Sequence, residues 1–136
     1  MFGHDLATLF DKDTVEQIAK NVKLFVYQGS NINDTSALAH VTLPSSVYAE
    51  KDGTFTNCQN KVQRIWPAFS ALGESKADWA ILSLLGDALG TPLAYQEPQE
   101  IFKEIARTVS PFSEVTYEKI GDQGMVLKHK NVCLIS

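Results

Sequence analysis

The first run of apolar positions repeats at helical spacing. Val15, Ile18, Ala19 and Val22 follow Asp13 or Thr14 as a cap, with Glu16 in the first turn, and predict a helix over 13–21. The pattern then changes. Residues 23–27 (KLFVY) form a short apolar run closed by Gln-Gly-Ser-Asn, which reads as a buried parallel strand entering a polar loop at its carboxyl end. Asp34 or Thr35 is placed to cap a short helix through SALAH, and 41–44 (VTLP) is a second short strand stopped by its proline. Helix, strand, loop, helix, strand is the grammar of an open parallel α/β sheet. Ligands of such sheets sit in the crevice beyond the carboxyl ends of the strands, so the loop QGSNINDTS is the expected ligand side. By the same rule the opening MFGHDL reads as the end of a strand running into its loop, with the strand itself missing.

Residues 49–69 (AEKDGTFTNCQNKVQRIWPAF) interrupt this grammar with a charged turn, an alternating Thr-Phe-Thr strand, a polar loop and a return strand ending in Arg-Ile-Trp-Pro. That is an inserted β-hairpin. Beyond it, 73–90 predicts a helix with Trp79, Ile81, Leu82, Leu85 and Leu89 on one broad apolar face and Gly90 at its end. A further helix over 98–109 starts near Pro98 and buries Ile101, Phe102, Ile105 and Val109. The tail from Glu114 alternates weakly around Gly121 and Gly124, as a hairpin or irregular chain. Trp79 and Phe102 read as core, whereas Trp66 is either core or a partner anchor. The expected architecture is α/β: one partial domain over 1–136, with an open, mostly parallel sheet, flanking helices and the inserted hairpin.

Composition narrows the function classes. With 136 residues, 44% of them hydrophobic and 21% charged, the chain is of the ordinary globular class. A net charge of -4 gives no basic footprint for nucleic acid. No apolar run approaches the roughly 20 residues that span a bilayer, so direct membrane insertion is not expected. Cys58 and Cys133 have no ligand-spaced neighbours, and a disulfide between them is disfavoured because nothing at the N-terminus indicates secretion. The expected compartment is the cytoplasm. His4, His40 and His129 include no metal-spaced pair, and Asp5, Glu50 and Asp52 have no spacing that unites them for acid-base work, so neither a catalytic nor a metal site is assigned. His4 alone falls in the expected crevice.

Several motifs, in order and closely spaced, resemble those of the molybdopterin oxidoreductase superfamily. They are Asp34-Thr35-Ser36, the strand Ala39-His40-Val41-Thr42-Leu43-Pro44, the hairpin EKDGTFTN over 50–57, Lys61-Val62-Gln63-Arg64, Gly73-Glu74 and Asp78-Trp79. FGHDL, QGSNINDT and PQEIFKEIARTVSPFSEVTYEKIG make the sequence most similar to the large iron-sulfur subunit of bacterial NADH:quinone oxidoreductase and to related formate dehydrogenases. The resemblance covers 2–125 and corresponds to the later α/β region, before the dinucleotide-binding barrel. It departs from the pattern at His40, where an Asp is usual, and at Lys61, in place of an Arg.

The resemblance implies that Gln28, Gly29, Asn31, Asp34 and Thr35 occupy cofactor-facing positions, with Lys51, Thr54 and Asn57 near the same edge. Amides, small hydroxyls and backbone groups suit a polar cofactor rich in acceptors. The superfamily's cysteine clusters, molybdenum-ligating domain and dinucleotide barrel have no counterpart here. The leading expectation is therefore a structural, non-catalytic and cofactor-free portion of a respiratory NADH dehydrogenase subunit. It would lie on the cytoplasmic peripheral arm of an inner-membrane complex, against other subunits or the missing domains. The alternative is a fragment of a true molybdopterin-dependent oxidoreductase such as a formate dehydrogenase, which would bind molybdopterin guanine dinucleotide. A third reading is a free-standing module that binds a nucleotide or a protein through 28–35.

Overall fold

The computed structural model describes residues 3–127. Helix α1 spans Lys12–Asn21, and its cap is Asp11, two residues ahead of the expected Asp13, with Oδ1 accepting from the Thr14 amide at 2.9 Å. Strand β1 is Val26–Gly29 and pairs in parallel with β2, Val41–Pro44, in the register Val26 to Val41 and Gly29 to Pro44. The strand thus takes in Gln28 and Gly29, which the apolar pattern assigns to the loop. Its start is set by its partner: the amides of His40 and Val41 both donate to the Phe25 carbonyl, at 2.8 and 3.2 Å, just ahead of the ladder. Between the strands lies the short helix α2, Asp34–Ala37. Asn33 caps it, not Asp34 or Thr35, through a reciprocal box with Ser36.

The hairpin is present as expected. Strands β3, Gly53–Thr56, and β4, Lys61–Ile65, pair antiparallel. Asn57 closes the turn, its Oδ1 accepting from the amides of Gln59 at 2.9 Å and Lys61 at 3.0 Å. The tail is neither a hairpin nor irregular chain. It forms helix α5, Tyr117–Ile120, and strand β5, Met125–Val126, which pairs with β4 and makes the hairpin a three-stranded antiparallel sheet. Gly124 permits this junction: at φ +76° a side chain there is strained, and a Cβ would lie 2.8 Å from the Val62 carbonyl oxygen.

The main core lies where this sheet meets the C-terminal helices. Val62, Phe102, Phe112, Val115, Tyr117, Ile120 and Leu127 form one buried cluster, with Ile105 and Met125 packed against it. Phe102 stands edge-on to Phe112, with centroids 6.1 Å apart, and tilted against Tyr117 at 5.5 Å. Such pairs add about 0.5–1.5 kcal/mol each beyond their buried area. Helix α4, Pro98–Thr108, buries Phe102 as expected but leaves Val109, just past its end, exposed.

Helix α3, Asp78–Ala88, departs further from expectation. Of its apolar face only Ile81 is buried, Trp79 is half-buried, and Leu85 and Leu89 are 43% and 73% exposed. The amphipathic pattern is real, but what would cover it is not supplied by the described residues. Trp66 is likewise 56% exposed. Cys58 is exposed and free, while Cys133 and His129 lie outside the described residues.

Candidate functional site

A cavity of about 380 Å³ opens where the carboxyl ends of β1 and β2 meet the base of the hairpin. Its polar centre is Asp78, the first residue of α3. The chain reaches it along the outer edge of β2, where the Ser46 amide donates to the Lys76 carbonyl at 2.9 Å and the Lys76 amide to that of Pro44 at 3.3 Å. Two residues later Asp78 faces both strands and the hairpin. Its Oδ1 accepts from Gln28 Nε2 at 3.0 Å and its Oδ2 from Lys51 Nζ at 2.5 Å. Burial pushes the carboxyl up, but hydrogen bonds from Lys51 and Gln28, the Lys51 charge and a hydrogen bond from Ser45 outweigh it, so Asp78 titrates below the ordinary range.

Lys51 is delivered by Glu50, whose two carboxylate oxygens accept the amides of Val47 at 3.0 Å and Leu72 at 3.1 Å. Asn31, Ser45 and Ser46 add amide and hydroxyl groups to the lining, and Tyr48 and Phe55, 69% and 52% exposed, stand at its rim.

Gly29 belongs to this wall for a steric reason. Side chains two apart on a strand share a face, and the buried Tyr27 ring lies where a Gly29 Cβ would be, with the phenol oxygen 2.5 Å from it. The Tyr27 hydroxyl accepts from Asn33 Nδ2 at 2.8 Å, which ties the strand end to the start of α2.

Of the five expected cofactor-facing residues, the structure brings Gly29 and Asn31 to the cavity wall, with Gln28 behind Asp78. Thr35 is fully buried. Its Oγ1 donates to Asp5 Oδ1 at 2.6 Å and accepts the Leu6 amide at 2.6 Å, pinning the opening loop to α2. The Thr35 hydrogen bond is the main reason the Asp5 carboxyl sits below its usual range. Asp34 is exposed and faces a separate groove with Lys12 and Glu16. Of the three neighbours, Lys51 is at the site, whereas Thr54 pairs with Arg64 in the hairpin and Asn57 is spent on its turn. His4 is exposed, although Gly3 beside it lines the cavity and donates its amide to the Gln28 carbonyl at 2.7 Å.

The departure at His40 keeps an acceptor in place, since Nδ1 takes the Phe25 amide at 2.8 Å. Asp5, Glu50 and Asp52 are engaged separately, by Thr35, by backbone amides and by Arg64. Among the described residues no three His, Cys, Asp or Glu side chains gather as metal ligands would.

Sequence reasoning missed Asp78 as the hub. Asp-Trp is visible as a motif, but its partner Gln28 is 50 positions away, and no local period encodes that.

The family profile described as Molybdopterin oxidoreductase matches residues 1–88, and the chain belongs to that family. It is 37% identical over 117 residues to the F420-dependent formate dehydrogenase 2 subunit alpha of Methanococcus maripaludis, covering 85% of this chain and 17% of the relative. It is 35% identical over 113 residues to the formate dehydrogenase 1 subunit alpha of that organism, again F420-dependent, covering 82% and 17%. A Staphylococcus haemolyticus protein with a provisional formate dehydrogenase name is 40% identical over 121 residues, covering 88% and 12%. The match therefore spans 12–17% of the length of these relatives. Their names overturn the leading expectation of a NADH:quinone oxidoreductase subunit, and the respiratory-chain and peripheral-arm placements rested on that reading. No helix among the described residues is long and apolar enough to cross a membrane.

Proposed function

We propose that the chain is part of a molybdopterin-dependent oxidoreductase of the formate dehydrogenase kind, in which it forms one wall of the site for the cofactor's dinucleotide. The observation that carries this is the Gln28–Asp78–Lys51 cluster at the carboxyl ends of β1 and β2, inside the region matched to the family.

The donor set fits such a group. Asn31, Ser45 and Ser46 offer neutral donors and acceptors, Lys51 a cation already oriented by Asp78, and Asp78 a carboxylate suited to N–H donors. Tyr48 and Phe55 present ring faces at the mouth of the cavity. Gln28, Gly29 and Asn31 then form the cofactor-facing edge, while Thr35, through Asp5, holds the opening loop against α2. When bound, the cofactor supplies the metal centre that takes up electrons from the substrate. The residues of this chain bind and orient it, with Lys51 Nζ held in place by its hydrogen bond to the Asp78 carboxylate. The remaining domains or subunits of a longer enzyme would contribute everything else, including the residues next to the metal, with 1–136 as one partial domain of it.

The test is metal and pterin analysis of the native protein from its source, with formate-dependent dye reduction. Molybdenum or tungsten with a releasable fluorescent pterin is expected, and Asp78→Asn should lower pterin retention about 10-fold, the scale of one charge-assisted hydrogen bond. A native protein free of both metals and of pterin overturns the reading.

A further inference from the structure

A second cavity, of about 300 Å³, lies outside the family-matched region, between α4 and the segment that leads into α5. Its floor is apolar: Phe102, Val115 and Tyr117 are each at most 9% exposed, and Ala106 leaves depth beside them. Its rim is basic. Lys103 and Arg107 lie one helical turn apart on the α4 face that lines it, about 6 Å along the axis. The ion pairs among the described residues join Lys20 to Glu16, Lys51 to Asp78 and Arg64 to Asp52, so neither rim cation is spent in one.

The opposite end is closed. Gln99 Nε2 donates to Glu118 Oε1 at 3.3 Å. Glu118 is held ionised by hydrogen bonding to its own backbone amide and to Thr116, with the Lys103 charge and Gln99 contributing less. Gln99 and Arg107 are separated by about 12 Å along α4, so the negative charge of Glu118 marks one end and the guanidinium the other. A volume of this size is at the low end for small-molecule sites, which run from about 300 to 1,000 Å³.

We propose that this cavity binds a small aromatic acid, with a single ring on the Phe102–Tyr117 floor and a carboxylate or phosphate against Arg107 and Lys103. The planar guanidinium fork matches either anion bidentately, and the aromatic floor selects a flat body over an aliphatic one. The proposal is independent of the cofactor site.

It is tested by titrating the 136-residue chain with benzoate and with phenyl phosphate, following amide shifts of α4 and α5 by NMR. Saturable binding of at least one, with Kd around 1 mM as its small size allows, is expected. The stronger of the two identifies the anion. Benzamide and acetate, which lack the charge and the ring respectively, should bind at least about 10-fold more weakly. Arg107→Gln should weaken binding by a similar factor, Ala106→Leu should fill the cavity and abolish it, and Lys12→Gln, on α1, should change nothing. No saturable shift by either acid overturns the proposal, as does equal binding of benzamide. Unchanged affinity in Arg107→Gln, or binding confined to acidic peptides, would do the same.

Discussion

Replacing Arg64 should cost this chain more than any other single change to a charged residue, because one side chain joins the hairpin to the C-terminal helices. Its Nη2 donates to Asp52 Oδ1 at 2.7 Å, and its guanidinium carbon lies 3.8 Å from the Tyr117 ring centroid and 5.0 Å from that of Trp66. With the side chain only 13% exposed, the close stack on Tyr117 is largely desolvated and contributes about 1–2 kcal/mol, and the Trp66 contact about 0.5 kcal/mol. Asp52 is 40% exposed, so solvent screens the ion pair to about 0.5–1 kcal/mol. The buried stem adds about 1 kcal/mol by packing. Against these stands Nε, buried without a partner, at about 1 kcal/mol.

The net loss for Arg64→Ala is then about 2–3.5 kcal/mol. Arg64→Lys, which keeps the charge but loses the planar stack, should lose about 1.5 kcal/mol. Urea unfolding followed by tryptophan fluorescence reads both. At an m value of about 2 kcal/mol/M the alanine midpoint falls by roughly 1–2 M. A lysine variant as stable as the parent would show that charge alone suffices and would refute the stacking argument. An alanine variant within about 0.5 kcal/mol of the parent would refute the whole account. A double-mutant cycle with Asp52→Asn should return a coupling no larger than about 1 kcal/mol.

Two further outcomes follow from the cavity around Asp78. Gly29→Ala sets a Cβ 2.5 Å from the Tyr27 hydroxyl; since that ring is buried and held by Asn33, the change should cost about 1–3 kcal/mol, read as a lowered thermal midpoint, and an unchanged midpoint would show that the ring moves freely. Asp78 titrates below its ordinary value near 3.9, so its contribution is complete above that value and is lost as pH falls through the lower folded one. Unfolding free energy measured from pH 6 down to pH 3 should therefore drop less in Asp78→Asn than in the parent, and parallel curves would contradict the lowered carboxyl.

Legibility in the sequence follows the range of the interactions involved. The hairpin, β2 and α4 are readable because alternation, turn residues and Pro98 are local signals. The cap of α1 falls two residues earlier than Asp13 because Asp11, Asp13 and Thr14 are all competent caps, and the helix extends to the earliest of them. The extent of β1 differs because a parallel strand is bounded by its partner, and Val41 sits opposite Val26. At the candidate site the resemblance puts Gly29, Asn31 and Lys51 on one edge, and in the structure all three line one cavity. It groups Thr35 with them, although the fold turns that hydroxyl inward to Asp5. The leucines of α3 mark the limit of periodicity as evidence: the pattern records a face that needs covering, and here Leu85 and Leu89 stay open on it.

That open face also sets the order in which the chain loosens. Helix α3 buries only Ile81, whereas α4 and α5 are anchored in a cluster with Phe102 and Ile120 at 5% and 1% exposure. Local opening free energy follows buried apolar contact, so the amides of α3 exchange with solvent while those around Phe102 remain protected. Whatever comes to rest on Leu84, Leu85 and Leu89 slows exchange there first, which makes the deuterium uptake of this one helix a gauge of how much of its surroundings is in place.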